Sequence, residues 1–160
     1  MIKIGFGYDV HKFAPERKLV LGGVEIPFTQ GLEGHSDADV LLHAICDALL
    51  GAAALGDIGT HFPNTDSQFK NIESTKLLAN VLELIKKNNY KINNIDSTVC
   101  LEEPKLLPHI DSMREKISVI LGIEKSCISI KATTNEKMGF VGRGEGIAAF
   151  AVALLEERKA

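Results

Sequence analysis

Apolar residues recur along the chain with two periods, and these periods predict its secondary structure. Alternation with polar residues, as in Ile2-Lys3-Ile4, is typical of a half-buried strand, whereas spacings of three and four, as from Val40 to Leu49, are typical of an amphipathic helix. Strands are predicted at 1–11, 19–21, 24–26, 95–101, 127–133 and 147–155. Helices are predicted at 36–50, 71–87 and 108–122, the last with Pro at its start and Gly at its end.

The order of these elements predicts an α+β fold. The strands at 19–21 and 24–26 flank Gly22-Gly23 and are expected to form a hairpin, because paired glycines suit a two-residue turn. Together, the strands and helices predict a single mixed β-sheet with helices packed on one face. The chain has 160 residues, the ordinary size of one domain, so 1–160 is predicted to be a single domain.

Composition narrows the classes of function. The formal net charge is −3, so the chain lacks the basic excess of a general nucleic-acid-binding protein. Its longest apolar run, 147–155, is far below the about 20 residues that cross a bilayer, and residues 1–13 do not resemble a signal peptide. The three cysteines form no Cys-x-x-Cys motif. These features predict a cytoplasmic protein of a reducing compartment, with no nucleic-acid or membrane partner.

Two segments carry candidate metal ligands. In Asp9-Val10-His11 a strand turns the carboxylate and the imidazole to the same side. This pair suits either a zinc or manganese site or a hydrogen-bonded pair at a strand end. His43, on the helix predicted at 36–50, is the natural third ligand.

The same helix carries a polar stripe opposite its apolar face. The stripe consists of Ser36, Asp39, His43 and Asp47. Ser36 or Asp37 is expected to cap the helix, and Asp39 or Asp47 to hold the second ring nitrogen of His43. His35 precedes the helix, where backbone N–H groups favour an anion.

Three loops carry groups suited to phosphate. Residues 57–66 form either a loop that closes over a polar ligand or an ordinary surface loop. Residues 131–137 bring hydroxyls, lysines and Glu136 to a strand end, which suits phosphate and magnesium or else a polar turn. Residues 142–146 form either an anion nest or a turn held by an Arg143–Glu145 pair. Together the segments predict a phosphate-handling metalloenzyme.

Five motifs follow one another along the chain in a fixed order. They are DVH at 9–11, GHSDADVLLH at 34–43, DIGTHFPNTD at 57–66, EEPKLLPHI at 102–110 and KATTNEKMGFVGRGEGI at 131–147. A chain with these motifs resembles the 2-C-methyl-D-erythritol 2,4-cyclodiphosphate synthase family, and the resemblance extends over essentially its whole length.

The resemblance implies a reaction of non-mevalonate isoprenoid biosynthesis. The 2-phosphate of 4-diphosphocytidyl-2-C-methyl-D-erythritol 2-phosphate attacks the β-phosphorus, CMP leaves and the 2,4-cyclodiphosphate forms, which makes the enzyme a cyclising phosphorus–oxygen lyase. The resemblance also implies a homotrimer with active sites between subunits and an axial cavity that binds isoprenoid diphosphates in some members. Residues 147–155 agree, since Phe150 and Leu154 are expected on one face and Ala149 and Val152 on the other, so a threefold neighbour would cover the second face.

The resemblance further implies a role for individual residues. Asp9, His11 and His43 would bind a divalent metal, usually zinc. Glu136 would bind magnesium or manganese held with the substrate diphosphate. His35 and Thr134 would stabilise the transition state. Contacts to the methylerythritol and phosphates would come from Val10, Ser36, Asp57, Ile58, Gly59 and the flap residues Phe62, Pro63, Asn64, Thr65 and Asp66. The cytidine pocket would comprise Leu101, Glu102, Glu103, Pro104, Lys105, Leu106, Leu107, Ala132, Thr133, Thr134 and Asn135. Phe140 and Arg143 would lie beside the axial cavity.

Two other functions fit parts of the pattern. Histidines and aspartates on one helix also suit a metal-dependent phosphohydrolase, in which the metal activates water. The glycine-rich segment 142–146 also suits a non-catalytic sensor of isoprenoid diphosphates or nucleotides. Both are less favoured than the synthase, because all of the family's site positions are filled at once.

Overall fold

The computed structural model describes residues 1–63, 65–66, 69 and 72–158. Its strands are β1 (Ile2–Ala14), β2 (Leu19–Leu21), β3 (Val24–Ile26), β4 (Gly31–Leu32), β5 (Tyr90–Cys100), β6 (Ile128–Thr133) and β7 (Gly146–Glu157). Its helices are α1 (Val40–Ala52), α2 (Ile58–His61), α3 (Ser74–Lys87), α4 (Ile110–Leu121) and α5 (Gly139–Gly142). Short 3-10 turns at Leu107–His109 and Lys125–Cys127 precede α4 and β6.

Five strands form a mixed sheet in the order β4-β1-β7-β5-β6. β7 runs antiparallel to both of its neighbours, whereas β5 and β6 are parallel. The predicted α+β class is therefore confirmed. The prediction of a single sheet is wrong for the described residues, because β2 and β3 form a separate two-stranded sheet. That hairpin is held against the start of α1 instead, since the Asp39 carboxylate accepts hydrogen bonds from Gly22 N and Gly23 N at 3.0 and 2.7 Å.

β1 divides its side chains between the two faces of the large sheet. Gly5 and Gly7 face α1, and a Cβ added to them would lie 2.0 Å from Ala48 O and 1.9 Å from Ala44 O. Helix α1 therefore lies directly on the backbone of β1, at a distance that only glycine permits. Asp9 and His11 have the same parity as the two glycines and turn to the same side as the helix.

The helices cover one face of the sheet, as predicted. α1 packs against β1, β7 and α3, while α4 packs against β6 and α3. The opposite face carries exposed apolar side chains on β1 and β7, namely Ile2, Ile4, Phe6, Tyr8, Val10, Phe150 and Val152. Val152 shares this face with Phe150 and Leu154, so its expected position opposite them is wrong, because alternate residues of a strand share a face.

The N-termini of two helices differ from the predicted positions. α1 begins at Val40, not residue 36, and its cap is Asp39, whose carboxylate accepts from Leu42 N at 3.0 Å. Burial raises the pKa of Asp39 to about 6, although its hydrogen bonds from backbone N–H groups act in the opposite direction. The helix predicted at 71–87 is described from Ser74, and Asn71 lies outside the described residues.

The remaining differences are local. β5 begins at Tyr90, five residues before its predicted start, and β4 was not predicted because two residues are too few to show a pattern. Two predicted loops contain the one-turn helices α2 and α5. Among the described helices, none is long and apolar enough to cross a membrane.

Candidate active site

Three predicted ligands from two elements meet beside the end of β1. Asp9 and His11 come from β1 and His43 from α1, and one ligand atom of each lies within 4.8 Å of the other two. His11 Nε2 is 2.9 Å from Asp9 Oδ2, His43 Nδ1 is 3.0 Å from the same oxygen, and the two nitrogens are 3.2 Å apart. The close contact of α1 with Gly5 and Gly7 brings these side chains together.

The triangle has the dimensions of three ligands around a tetrahedral zinc ion. Metal–ligand bonds of about 2.0–2.1 Å place two ligands of a tetrahedron about 3.3 Å apart. The three observed separations lie slightly below that value. One carboxylate and two imidazoles are also a donor set of open zinc sites, in which the fourth position is left to substrate or water. These residues therefore fit a divalent metal ion.

Each histidine is oriented by its second ring nitrogen. His11 Nδ1 lies 2.7 Å from the carbonyl oxygen of Glu33, and His43 Nε2 lies 3.0 Å from Ser74 Oγ and 3.3 Å from Ser36 Oγ. The expectation that Asp39 or Asp47 holds His43 is wrong. Asp39 caps α1 and holds the hairpin, and Asp47 Oδ1 accepts from Ile58 N at 2.8 Å.

The carboxylate of the triad is the acidic partner of both imidazoles. Burial alone would raise the pKa of Asp9, but the two neighbouring imidazoles of His11 and His43 outweigh it and lower that pKa to about 2. Burial would lower the pKa of His11, but Asp9 raises it above its usual value. The field at the triad therefore favours a cation beside an ionised carboxylate.

A cavity of about 230 Å³ opens beside the triad. Its lining consists of Asp9, His11, Gly34, His35, Ser36, His43, Ile58, Gly59, Phe62, Phe69, Ile72 and Leu77. The metal-binding groups thus form one wall, and apolar side chains from α2 to α3 form another. Such a lining, apolar side chains with a few convergent polar groups, is typical of a small-molecule site.

Arg17 fixes the segment that carries His35 and Ser36. Its guanidinium donates to Gly34 O at 3.0 Å and to Ser36 O at 2.5 Å, so it binds the carbonyls on both sides of His35. The sequence pattern does not indicate this residue, because the contact joins positions that are 17 and 19 residues apart in the chain and meet only after folding.

Some of the substrate contacts predicted in 57–66 line the cavity, and of the predicted flap only Phe62 does so among the described residues. The lining contacts are Ile58, Gly59 and Phe62, with Phe62 packed edge-to-face on Phe69 at 5.4 Å between ring centroids. Asp57 instead caps α2 by accepting from Thr60 N at 2.8 Å. Pro63, Thr65 and Asp66 are outside the cavity lining, Val10 faces the opposite side of the sheet, and Asn64 lies outside the described residues.

A second group of predicted residues gathers where β5 and β6 end. Glu102 Oε1 accepts from Asn135 N at 3.0 Å, and its other oxygen pairs with Lys137 at 2.9 Å. Thr134 Oγ1 donates to Glu136 Oε1 at 3.1 Å. Glu102 therefore supports the turn that carries Thr134 and Glu136, which contribute nothing to the lining of the cavity beside the triad.

The other predicted cytidine-pocket residues divide by exposure. Leu101 and Leu106 are core residues, so their side chains are not exposed to a ligand. Exposed or half-exposed neighbours are Glu103, Pro104, Lys105, Leu107, Ala132 and Thr133. Leu101 N donates to Thr133 O, which joins the two segments into one surface.

The structure separates Phe140 from Arg143. Phe140 lines a depression with Val10, His11, Lys12 and Glu145. Arg143 lines a different one and pairs with Glu145, Nε to Oε1 at 2.6 Å. Of the two alternatives for residues 142–146, the turn held by an Arg143–Glu145 pair is the one observed.

Comparison with known proteins shows the family of the chain. The YgbB family matches residues 2–156. The 2-C-methyl-D-erythritol 2,4-cyclodiphosphate synthase of Chlorobium phaeobacteroides is 61% identical over 158 residues, 99% of each chain. A Plasmodium falciparum IspF in complex with CDP is 38% identical and has a TM-score of 0.87. The alignment covers 99% of this chain and 97% of the other. The bifunctional IspDF of Campylobacter jejuni is 43% identical with a TM-score of 0.95, and 98% of this chain covers 42% of it. The chain therefore belongs to the YgbB family, that of the 2-C-methyl-D-erythritol 2,4-cyclodiphosphate synthases.

Proposed function

We propose that the chain converts 4-diphosphocytidyl-2-C-methyl-D-erythritol 2-phosphate to the 2,4-cyclodiphosphate and CMP. The observation that carries the proposal is the Asp9–His11–His43 triangle beside a cavity, in a chain related over its full length to synthases of this name. The reaction is an intramolecular phosphoryl transfer with CMP as leaving group, which places the enzyme among the phosphorus–oxygen lyases.

Zinc is the metal proposed for the triad. When bound, it supplies a Lewis acid that neutralises charge on the β-phosphate. Asp9 balances that charge, and the hydrogen bonds of the two histidine rings keep their free nitrogens directed at the ion.

The chain's own residues then position the reactants. A phosphate monoester, with a second pKa of about 6, is already largely dianionic at neutral pH, so its attack needs no general base. His35 and Ser36, held by Arg17, are proposed to contact the phosphates. Phe62 and Ile58 cover the cavity with apolar surface, which excludes water that would otherwise hydrolyse the diphosphate.

Glu136→Gln is expected to lower turnover strongly while the triad keeps its metal. Glu136 is exposed in a turn after β6, so the substitution removes a negative charge with little loss of packing. Its proposed task is to hold magnesium or manganese against the substrate diphosphate, together with Thr134. Steady-state rates and zinc content measured on one preparation test this, and a parental cyclisation rate would exclude the role.

Assembly as a homotrimer is proposed because one chain divides the site residues between two places. Thr134 and Glu136 follow β6, three strands away from β1, which is about 14 Å across the sheet. That distance is longer than a diphosphate, so a second chain is needed to bring a Glu136 turn to each triad. The exposed apolar face of β1 and β7 supports burial against neighbouring copies, with Phe140 beside the proposed axial cavity for isoprenoid diphosphates.

Light scattering is expected to give three times the chain mass of 17.4 kDa at micromolar concentration. A stable monomer would contradict the assembly.

Shared sites are tested by mixing His43→Ala and Glu136→Gln chains after unfolding. In an equal mixture, roughly half of the chains carry an intact triad, and roughly half of these have a neighbour with an intact Glu136. Roughly a quarter of the parental activity should therefore return. Continued inactivity of the mixture would show that each chain builds its site alone.

One assay separates the proposed reaction from its alternatives. Incubation with the cytidyl substrate, zinc and magnesium is followed by phosphorus NMR. The cyclic diphosphate with CMP supports the synthase, free phosphate indicates a phosphohydrolase, and no turnover of metal-loaded protein favours a sensor. We also propose that the chain is a single-domain enzyme and that it is cytoplasmic. Three free cysteines among the described residues agree with a reducing compartment.

A further inference from the structure

His43 presents its two ring nitrogens to different surroundings. Nδ1 is directed toward Asp9 and His11, whereas Nε2 lies 3.0 Å from Ser74 Oγ at the first residue of α3. A neutral imidazole carries one ring proton, and the nitrogen that carries it has no lone pair for a metal. The partner of Nε2 therefore decides whether Nδ1 is available as a ligand.

Ser74 can act toward His43 only as an acceptor. Its hydroxyl donates to Asp37 Oδ1 at 2.5 Å, and a serine has a single hydroxyl hydrogen. The lone pairs of Ser74 Oγ are then left for a proton on Nε2 of His43. Both Ser74 and His43 are buried, where a hydrogen bond is stronger than in water.

Ser36, the other hydroxyl near Nε2, is differently arranged. Its Oγ is more distant from the ring, at 3.3 Å, and accepts from Ala38 N at 3.0 Å. Among the residues that the structure describes, no carboxylate accepts the Ser36 hydroxyl hydrogen, and Ser36 lines the cavity. Ser36 is therefore available to hydrogen-bond a ligand in the cavity, whereas Ser74 accepts from the His43 ring.

We propose that Asp37 and Ser74 are positioning residues that hold His43 with its proton on Nε2, so that Nδ1 is permanently available to the metal. The Asp37 carboxylate acts through the Ser74 hydroxyl, and it also accepts from Ser74 N at 3.1 Å, which fixes the hydroxyl against the start of α3. The inference rests on the proposed metal site but is independent of the reaction assigned to it.

Zinc affinity of metal-stripped protein, measured by competition with a chelating dye, tests the proposal. Ser74→Ala removes the acceptor but keeps the backbone bond to Asp37, and is expected to weaken zinc binding about 10- to 100-fold. Ser74→Thr restores the hydroxyl and should bind zinc as the parent does. Ser97→Ala is the matched control, because Ser97 is also buried and donates only to Ser129 O, at 2.9 Å.

Parental zinc affinity in Ser74→Ala would overturn the inference, whereas a parent that binds no zinc would overturn the metal site itself. If Ser74→Ala does not fold, the zinc-loaded parent still decides the question by long-range proton–nitrogen NMR of His43. A slowly exchanging proton on Nε2 is the expected result. A proton on Nδ1, or metal on Nε2, would refute the proposed arrangement.

Discussion

Replacing His43 with alanine is expected to remove bound zinc and activity together while the chain still folds. The substitution deletes one of three ligands, so its effect on zinc affinity should exceed the about 10- to 100-fold that loss of an outer partner causes. Alanine is a good helix former, and the neighbouring Leu42 and Ala44 stay buried in the core. Elemental analysis for zinc beside a cyclisation assay measures both effects.

The stability of this variant needs a comparison without metal. Zinc that binds only the folded chain stabilises it, so both proteins should be melted in the presence of a chelator. Similar melting temperatures are expected there, and His109→Ala, which changes a histidine outside the triad, should keep full zinc content. Stoichiometric zinc in His43→Ala would refute the three-ligand assignment.

Gly7→Ala is expected to damage both the fold and the metal site. A Cβ at Gly7 would lie 1.9 Å from Ala44 O and 2.7 Å from Ala48 N, so α1 must move away from β1. Overpacking of this kind costs about 3 kcal/mol, which corresponds to a melting temperature lower by about 10 °C in a chain of this size. Because His43 precedes Ala44, the same movement draws it away from Asp9 and His11.

A glycine on the helix provides the control for this experiment. Gly51 belongs to α1 and is exposed, and a Cβ there would be 3.9 Å from its nearest neighbour, Phe6 O. Gly51→Ala should therefore be neutral or slightly stabilising. Thermal melting and zinc titration of the two variants give the comparison. Parental values for both quantities in Gly7→Ala would mean that β1 and α1 are not in the contact described.

Local pattern predicted how each element presents the three candidate ligands, but it left a metal site and a hydrogen-bonded pair open at Asp9 and His11, and the metal role of all three was implied by the family resemblance. The parity of Asp9 and His11 in a strand fixes their common side, and the helical spacing around His43 places it opposite the apolar residues of α1. The α+β class followed from the same two periods. These features depend on neighbours in sequence, which is why pattern reveals them.

The partners of the ligands were not predictable in this way. Ser74 is 31 residues from His43, and its place in the first turn of a predicted helix does not mark it as a partner of that ring. Asp39 and Asp47, adjacent to His43 on the predicted stripe, are committed to backbone N–H groups of the hairpin and of α2. Which carboxylate meets which donor is decided by packing of distant segments, and sequence spacing carries no record of it.

Because the side chains of β1 alternate between the two faces of the sheet, this strand should tolerate substitutions better than insertions or deletions. Inserting or deleting one residue between Gly7 and Asp9 would turn the ligands to the exposed side and direct apolar side chains at α1. Substitution at even positions such as Phe6 or Tyr8 alters only the exposed side. A mutational library confined to even positions would therefore explore new association surfaces while Asp9 and His11 stay on the other side of the strand.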